Sequence, residues 1–398
     1  MTQTAPRGER LNIGLFGRRN VGKSSLLNAL CGQQVSIVSD MAGTTTDAVS
    51  KIYELIPVGP VTFFDTAGID DTGTVGELRT AATRKIMNKA DIALLVTDET
   101  GMGEYEKSLA DTLNNLKIPF ILVLNKSDKA AAVIDNTLPC PSIRVSAANG
   151  DNIEELKAQI KEIVPEHLKN APALVRDLIA RGQTVVCVAP IDSSAPKGRL
   201  ILPQVQVIRD ILDAHAYAYV IQNDQEFLKI LSDLNTPPAL VITDSQLIRP
   251  VAAVVPPEIA LTTFSTLFAR YKGDLKILYD GAKRLQSLPD NSKILIAEAC
   301  SHHVQDDDIA RVKMPALIKK TLNKNIHFEW SAGSDFPSDL NQFDLVIHCG
   351  GCMLSRLETL RRLNECVRSG VPITNFGMAL SAMQGVLDRV ILPFGDLS

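Results

Sequence analysis

Long apolar runs are missing from this chain. No stretch reaches the roughly 18 consecutive apolar residues that a membrane-spanning helix needs. The first residues, MTQTAPRGERLNIGLFG, hold no charged region followed by a long apolar core, so no leader is expected and the reading is a cytoplasmic protein without a membrane partner. A basic excess is missing too: 41 lysines and arginines face 45 aspartates and glutamates, a formal charge of -4. That balance offers no footprint for a nucleic-acid backbone, and no nucleic acid is expected as a partner. Cysteine is scarce and odd in number, seven in 398 residues. A disulfide framework is therefore not expected, and clustered thiols point to a metal or to redox chemistry. There is no repeat at solenoid period and no low-complexity tract.

What is present is ordinary globular composition, 45% hydrophobic and 22% charged, in a chain long enough for two or three cores. Strand-like apolar runs alternate with helical periodicity three times over, the pattern of parallel sheets covered by helices. The first block runs from LNIGLFG to the amphipathic NIEELKAQIKEIV. The second starts at TVVCVAP and includes VQVIRDILDAH, AYAYVIQN, DQEFLKILSDL and PPALVITD; its two helix-like segments are candidates for a dimer face, and its loop DSSAPKGR reads as an exposed connector. The third follows IRPVAAVVPPE.

The strongest chemistry is at the front. GRRNVGKSS places Gly17, Gly22, Lys23 and Ser24 in the spacing of a phosphate-binding loop, after a strand and before a helix, with Asn20, Val21 and Ser25 completing its course. Its backbone N–H groups surround phosphates, Lys23 neutralises their charge, Ser24 ligates Mg2+, and the helix N-terminus adds positive potential. Three later motifs select the nucleotide. FFDTAG sets Asp65 at a strand end to hold Mg2+ through water and gives Gly68 an N–H for the γ-phosphate. NKSD (Asn125, Lys126, Asp128) supplies a carboxylate for the N1–H and 2-amino donors of guanine. SAANG, with Ser146 and Ala147, stands where an N–H meets the guanine O6. The four motifs in this order read as a GTPase. Arg18 and Arg19 read as solvated loop residues.

The third block pairs two apolar segments with thiols: ILIAEACSHH carries Glu298, Cys300, His302 and His303, and DLVIHCGGC carries His348, Cys349 and Cys352. Ligand sites of open α/β sheets gather at the carboxyl ends of strands, so three thiolates are expected to converge. They suit either tetrahedral Zn2+ or a [4Fe-4S] cluster, with Glu298, His302, His303 or His348 as a fourth ligand or neighbour. Cys31, Cys140, Cys187 and Cys366 stand in apolar or helical contexts and read as small core residues.

The first block resembles the TrmE, Era and EngA group of GTPases. Ile69 stands where Ras-like enzymes place a water-orienting glutamine. By this resemblance Asn20 helps coordinate K+, Thr45 (or its neighbour Thr44) in MAGTTTDA ligates Mg2+ and the γ-phosphate, and Glu77 orders the attacking water, which puts Lys23, Thr45, Gly68 and Glu77 at the chemistry. Thr46 stands where the group has arginine, which departs from its pattern. With CSH followed by HCGGC behind such a domain, the whole chain resembles the HydF family of [FeFe]-hydrogenase maturation GTPases.

The resemblance implies an α/β protein of three domains: a GTPase at 1–169, a dimerising domain at 170–265 and a cluster domain at 266–398. It implies Cys300, Cys349 and Cys352 as ligands of a [4Fe-4S] cluster and GTP or GDP with Mg2+ and K+ at the front. It also implies a homodimer that takes a diiron precursor from the radical-SAM maturases HydE and HydG to the apo-hydrogenase HydA. Two other readings stay open: an RNA-associated GTPase with a structural zinc site, and a nucleotide-gated interaction module with inert cysteines.

Overall fold

The computed structural model describes residues 10–32, 49–56, 58–65, 83, 86, 87, 89–129, 140–166, 172–191, 200–298, 309–333, 336, 337, 339–351, 354–395 and 397. Thr44, Thr45, Thr46, Gly68, Ile69, Glu77, Cys300, His302, His303, Cys352 and the loop DSSAPKGR lie outside the described residues. The chain divides into two compact units, Met1–Asn170 and Ala171–Ser398.

The first unit is built on a six-stranded sheet of order β2-β3-β1-β4-β5-β6. Its strands are β1 (Leu11–Phe16), β2 (Val49–Leu55), β3 (Gly59–Asp65), β4 (Ile92–Thr97), β5 (Phe120–Leu124) and β6 (Ser142–Arg144), with helices α1 (Lys23–Cys31), α2 (Glu104–Asn115) and α3 (Ile153–Ile163). Among the described residues only β2 runs antiparallel to its neighbouring strand; the other strand pairings are parallel. Buried residues on the two faces form separate apolar clusters, one around Ile13, Leu26 and Ile160 and one around Phe16, Leu95 and Leu113. Strands covered on both faces read as continuous apolar runs, which is why FILVL and IALLVT carry no polar residue before their last position.

The second unit holds two four-stranded parallel sheets. The first, of order β10-β9-β7-β8, contains β7 (Thr184–Val188), β8 (Tyr217–Ile221), β9 (Leu240–Thr243) and β10 (Ala260–Thr263), with α4 (Leu202–Asp213), α5 (Asp224–Asp233), α6 (Ile248–Val254) and α7 (Phe264–Lys272). The second, of order β12-β11-β13-β14, contains β11 (Lys293–Glu298), β12 (His327–Ala332), β13 (Leu345–His348) and β14 (Ile373–Asn375). Its helices are α8 (Leu275–Gln286), α9 (Met314–Leu322), α10 (Arg356–Arg368), α11 (Phe376–Met383) and α12 (Leu387–Ile391). Residue 265, where the sequence reading divides the second and third blocks, lies in the first turn of α7.

Several helices of the second unit start on a side-chain cap, as α5 does on Asn223. Thr263, Asp274, Ser355 and Asn375 each accept the N–H three residues on, at α7, α8, α10 and α11. Such caps satisfy otherwise orphaned donors and contribute about 1 kcal/mol each. One apolar cluster runs from Val186 and Phe227 in the first sheet's domain through Leu278 and Ile296 to Met378 in the second's. The two sheets therefore share a core. Among the described residues, no helix is long and apolar enough to cross a membrane.

Candidate nucleotide and thiol sites

The phosphate loop leaves β1 at the centre of the first sheet, between β3 and β4. Asn20 takes a left-handed φ of 65° and Gly22 one of 93°, so the loop curls tightly before α1 begins at Lys23. Lys23 is buried and its Nζ donates to the carbonyls of Gly17 at 2.8 Å and Arg18 at 2.9 Å, spanning the loop from below. Leu15 pairs with Asp65 across the sheet, and Ser24 Oγ donates to Asp65 Oδ2 at 3.0 Å. The hydroxyl and the carboxylate expected to serve Mg2+ thus meet at one point.

The residues expected to read the base form a second knot. Ser146 Oγ donates to Asp128 Oδ1 at 2.6 Å and accepts the Asn149 N–H at 3.2 Å. That hydroxyl is the foremost reason the Asp128 carboxyl is held below the usual aspartate range. Asn125 donates through Nδ2 to Val21 O at 2.9 Å and accepts the Ala147 N–H at 3.1 Å. The Ala147 N–H expected to meet the guanine O6 is therefore engaged by Asn125. Lys126 adopts φ 61° and faces Asp98 at 3.5 Å and Glu99 at 3.9 Å.

Arg18 is not a solvated loop residue. Its backbone N–H at 3.2 Å and its Nε at 2.9 Å both donate to Glu106 Oε1, and Nη2 reaches Gly101 O at 2.8 Å. Glu106, wholly buried in α2, also accepts the Gly103 N–H at 3.0 Å and so caps its own helix. The sequence reading missed Glu106. The spacing of Gly103 and Glu106 at a helix start is the one local sign of it.

In the second unit β11 pairs directly with β13, Ala297 opposite His348, and the Cys349 N–H donates to Ala297 O at 2.8 Å. The chain after β11 turns to β12 on one side, and the chain after β13 turns to β14 on the other. The crevice between the carboxyl ends of β11 and β13 is thus the switch point where open α/β sheets bind ligands. Cys349 lies there, partly exposed. Glu298, at the end of β11, is buried and faces Arg311 Nη2 at 3.4 Å.

His348 is buried with both ring nitrogens engaged: Nδ1 lies 2.7 Å from Cys349 O and Nε2 lies 3.1 Å from Arg362 Nη1. Burial first, and the Arg362 guanidinium second, push its pKa down to about 4. The neutral tautomer with the proton on Nδ1 fits both contacts, and this imidazole buttresses the loop from its side. Arg362 itself bonds Gly333 O at 2.9 Å and Glu358 at 3.1 Å. A small cavity under the loop is lined by Lys272, His348, Cys349, Gly351, Thr359 and Arg362.

The described donors fit an iron–sulfur cluster in chemical type: Cys349 is a soft thiol at a strand end, and the glycines beside it let the main chain approach closely. Among the described residues no group of three metal-binding side chains gathers. Cys31, Cys187 and Cys366 are buried, and burial pushes their thiols up to about 11, 12 and 12; Cys140 is partly exposed and raised for the same cause.

Comparison with known proteins matches three stretches of the chain. A model of the 50S ribosome-binding GTPase family matches residues 12–126, one of the hydrogen maturase F dimerization domain matches 174–273, and one of the hydrogen maturase F tetramerization domain matches 276–393. GTPase Der of Campylobacter concisus is 37% identical over 171 residues, 39% of this chain and 37% of that protein. The tRNA modification GTPase MnmE of Neisseria meningitidis is 42% identical over 153 residues, 37% of this chain and 34% of that protein. The chain thus spans little more than a third of the curated relatives it matches.

Among solved structures, the G domain of the T. maritima FeoB iron transporter aligns with a TM-score of 0.32 and 27% identity, over 38% of this chain and 98% of that one. Era of Aquifex aeolicus aligns with a TM-score of 0.31 and 22% identity, over 56% of this chain and 97% of that one. Two successive domain models of one family cover more than half of the chain, behind a GTPase domain. The chain belongs to the hydrogen maturase F family.

Proposed function

We propose that this chain is a cytoplasmic, GTP-hydrolysing iron–sulfur scaffold that receives a diiron precursor from the radical-SAM maturases HydE and HydG and passes it to the apo-hydrogenase HydA. The observation that carries the reading is the position of Cys349 at the switch point between β11 and β13, within the segment matched by the hydrogen maturase F tetramerization model. Cys300, Cys349 and Cys352 would hold a [4Fe-4S] cluster. When bound, the cluster supplies an iron whose fourth position accepts an exchangeable cyanide or thiolate of the cargo.

At the front, Lys23 neutralises phosphate charge, Ser24, Asp65 and Thr45 hold Mg2+, Asp128 selects guanine, Asn20 serves K+, and Glu77 orders water. γ-Phosphate contacts at Thr45 and Gly68 would order the switch segments, and hydrolysis would release them, timing partner exchange.

The working form is a homodimer joined through β8. This strand is the edge of its sheet, and Tyr217, Tyr219 and Val220 are 62%, 44% and 45% exposed. An unpaired apolar edge is a template for pairing, and a two-fold axis would set two copies of β8 side by side, antiparallel. The dimerization-domain match over 174–273 supports this.

The scaffold reading is tested by reconstituting the chain anaerobically with iron and sulfide and recording electron paramagnetic resonance after reduction. A [4Fe-4S]+ signal that disappears in Cys300→Ser, Cys349→Ser and Cys352→Ser supports it. Stoichiometric zinc without such a signal leaves a zinc-stapled GTPase instead.

A further inference from the structure

The last turn of α7 and the cysteine loop hold each other. Lys272 ends the helix, is 3% exposed, and donates through Nζ to Gly351 O at 2.9 Å and to Leu354 O at 2.9 Å. These two carbonyls bracket Cys352 in the sequence. In return Arg356, the first residue of α10, donates through Nη1 to Arg270 O at 3.4 Å and to Tyr271 O, so a cation meets the negative end of α7. The next residue, Gly273, lies so near α10 that a Cβ there would stand 3.1 Å from Leu363 Cδ1. Lys272 belongs to the stretch matched by the dimerization model, and the loop to the stretch matched by the tetramerization model.

Burying an ammonium is costly, and an apolar side chain of that length would fill the space more cheaply. What the lysine adds is a fixed position for two carbonyls in a segment that begins with two glycines. Glycine loses the most conformational freedom on ordering, so a loop shaped in advance avoids that loss when its ligand binds.

We infer that Lys272 is a positioning residue for the cysteine loop: it holds the main chain on both sides of Cys352 in one conformation before metal arrives, and so joins the dimer domain's last helix to the ligand loop. The inference rests on the scaffold reading above.

The test compares full-length wild type, Lys272→Met and Lys272→Arg. After reconstitution, the rate at which a ferrous chelator removes iron is followed beside the resonance of the reduced cluster and the thermal midpoint. Lys272→Met is expected to lose iron about tenfold faster, as befits loss of about 1.4 kcal/mol of hydrogen bonding, with a broadened signal. Lys272→Arg, which keeps charge and donors, is expected to recover most of the wild-type behaviour. Equal chelation rates and identical spectra in wild type and Lys272→Met overturn the inference.

A wild type that takes up no iron and sulfide overturns the scaffold reading instead. The clamp is then tested alone in the metal-free chains by hydrogen exchange at the amides of Gly350, Gly351 and Leu354. Exchange about tenfold faster in Lys272→Met supports it, and equal exchange overturns it. If Lys272→Met does not fold, Lys272→Gln, which keeps a donor for one carbonyl, replaces it with the same outcomes.

Discussion

Asn125 Nδ2 donates to the carbonyl of Val21, 104 residues earlier, while Asn125 Oδ1 receives the Ala147 N–H. One amide thus ties the proposed phosphate loop to both segments proposed to read the base. Asn125→Ala removes a donor and an acceptor at a buried position, and leaves Val21 O and Ala147 N–H to find water. A loss of about 2 kcal/mol, ~30-fold in GDP affinity, is expected from fluorescent-nucleotide titration, together with a lowered thermal midpoint.

Gly22 carries a different constraint. Its φ is 93°, and a Cβ there would stand 2.3 Å from Asn125 Nδ2. Gly22→Ala both strains the backbone and pushes the amide away from Val21. Nucleotide affinity is expected to fall by about 100-fold or more in the same titration.

The acid limb of nucleotide binding belongs to Asp128. Its carboxyl is held below the usual aspartate range, first by the Ser146 hydroxyl. In the proposed role the carboxylate form recognises guanine, so binding is expected to persist above this depressed pKa and to be lost as pH falls through it. Ser146→Ala removes the donor and lets the pKa rise. The pH at which half of the GDP affinity is lost should therefore move upward in Ser146→Ala, measured by isothermal titration between pH 3 and 6.

At the junction of the two later domains, Gly377 lies against Ser265. A Cβ on Gly377 would stand 2.1 Å from Ser265 Cβ and 2.9 Å from Ser245 Oγ, across the Ser245–Ser265 hydrogen bond of 3.0 Å. Gly377→Ala is expected to destabilise the second unit by about 1–3 kcal/mol, read from urea unfolding. A wild-type midpoint would show that the junction yields without cost.

Tyr219→Lys puts a charge on the β8 edge while leaving the strand's buried Ile221 in place. Light scattering is expected to give a monomer where the wild type gives a dimer. A dimeric Tyr219→Lys protein would move the interface elsewhere, for example to Val205 and Leu212, which are exposed on α4.

What the sequence makes legible is local. GRRNVGKSS, NKSD and SAANG declare themselves because each needs particular residues within one turn or strand end, and the apolar runs FILVL and LVIH announce buried strands. β12 is harder to read: HFEWSA is largely exposed at its sheet's edge, so no apolar run marks it. β14 is only three residues long. The contacts that shape the sites are longer still in range. Arg18 meets Glu106 across 88 residues and Lys272 meets Gly351 across 79, and no pattern within a window records such pairs.

The two sheets of the second unit are wound alike. In each, the first strand lies beside the third, the second is outside the first and the fourth is outside the third. The residue after the third strand also makes the same bond in both: Asp244 N–H to Val188 O at 3.2 Å, and Cys349 N–H to Ala297 O at 2.8 Å. Asp244 and Ser245 therefore occupy in one domain the place of Cys349 and Gly350 in the other. The unit thus repeats one winding, and the matching strand ends differ in chemistry, a thiol and a glycine in one sheet against a carboxylate and a hydroxyl in the other, so the side chains at that strand end vary independently of the winding that presents them.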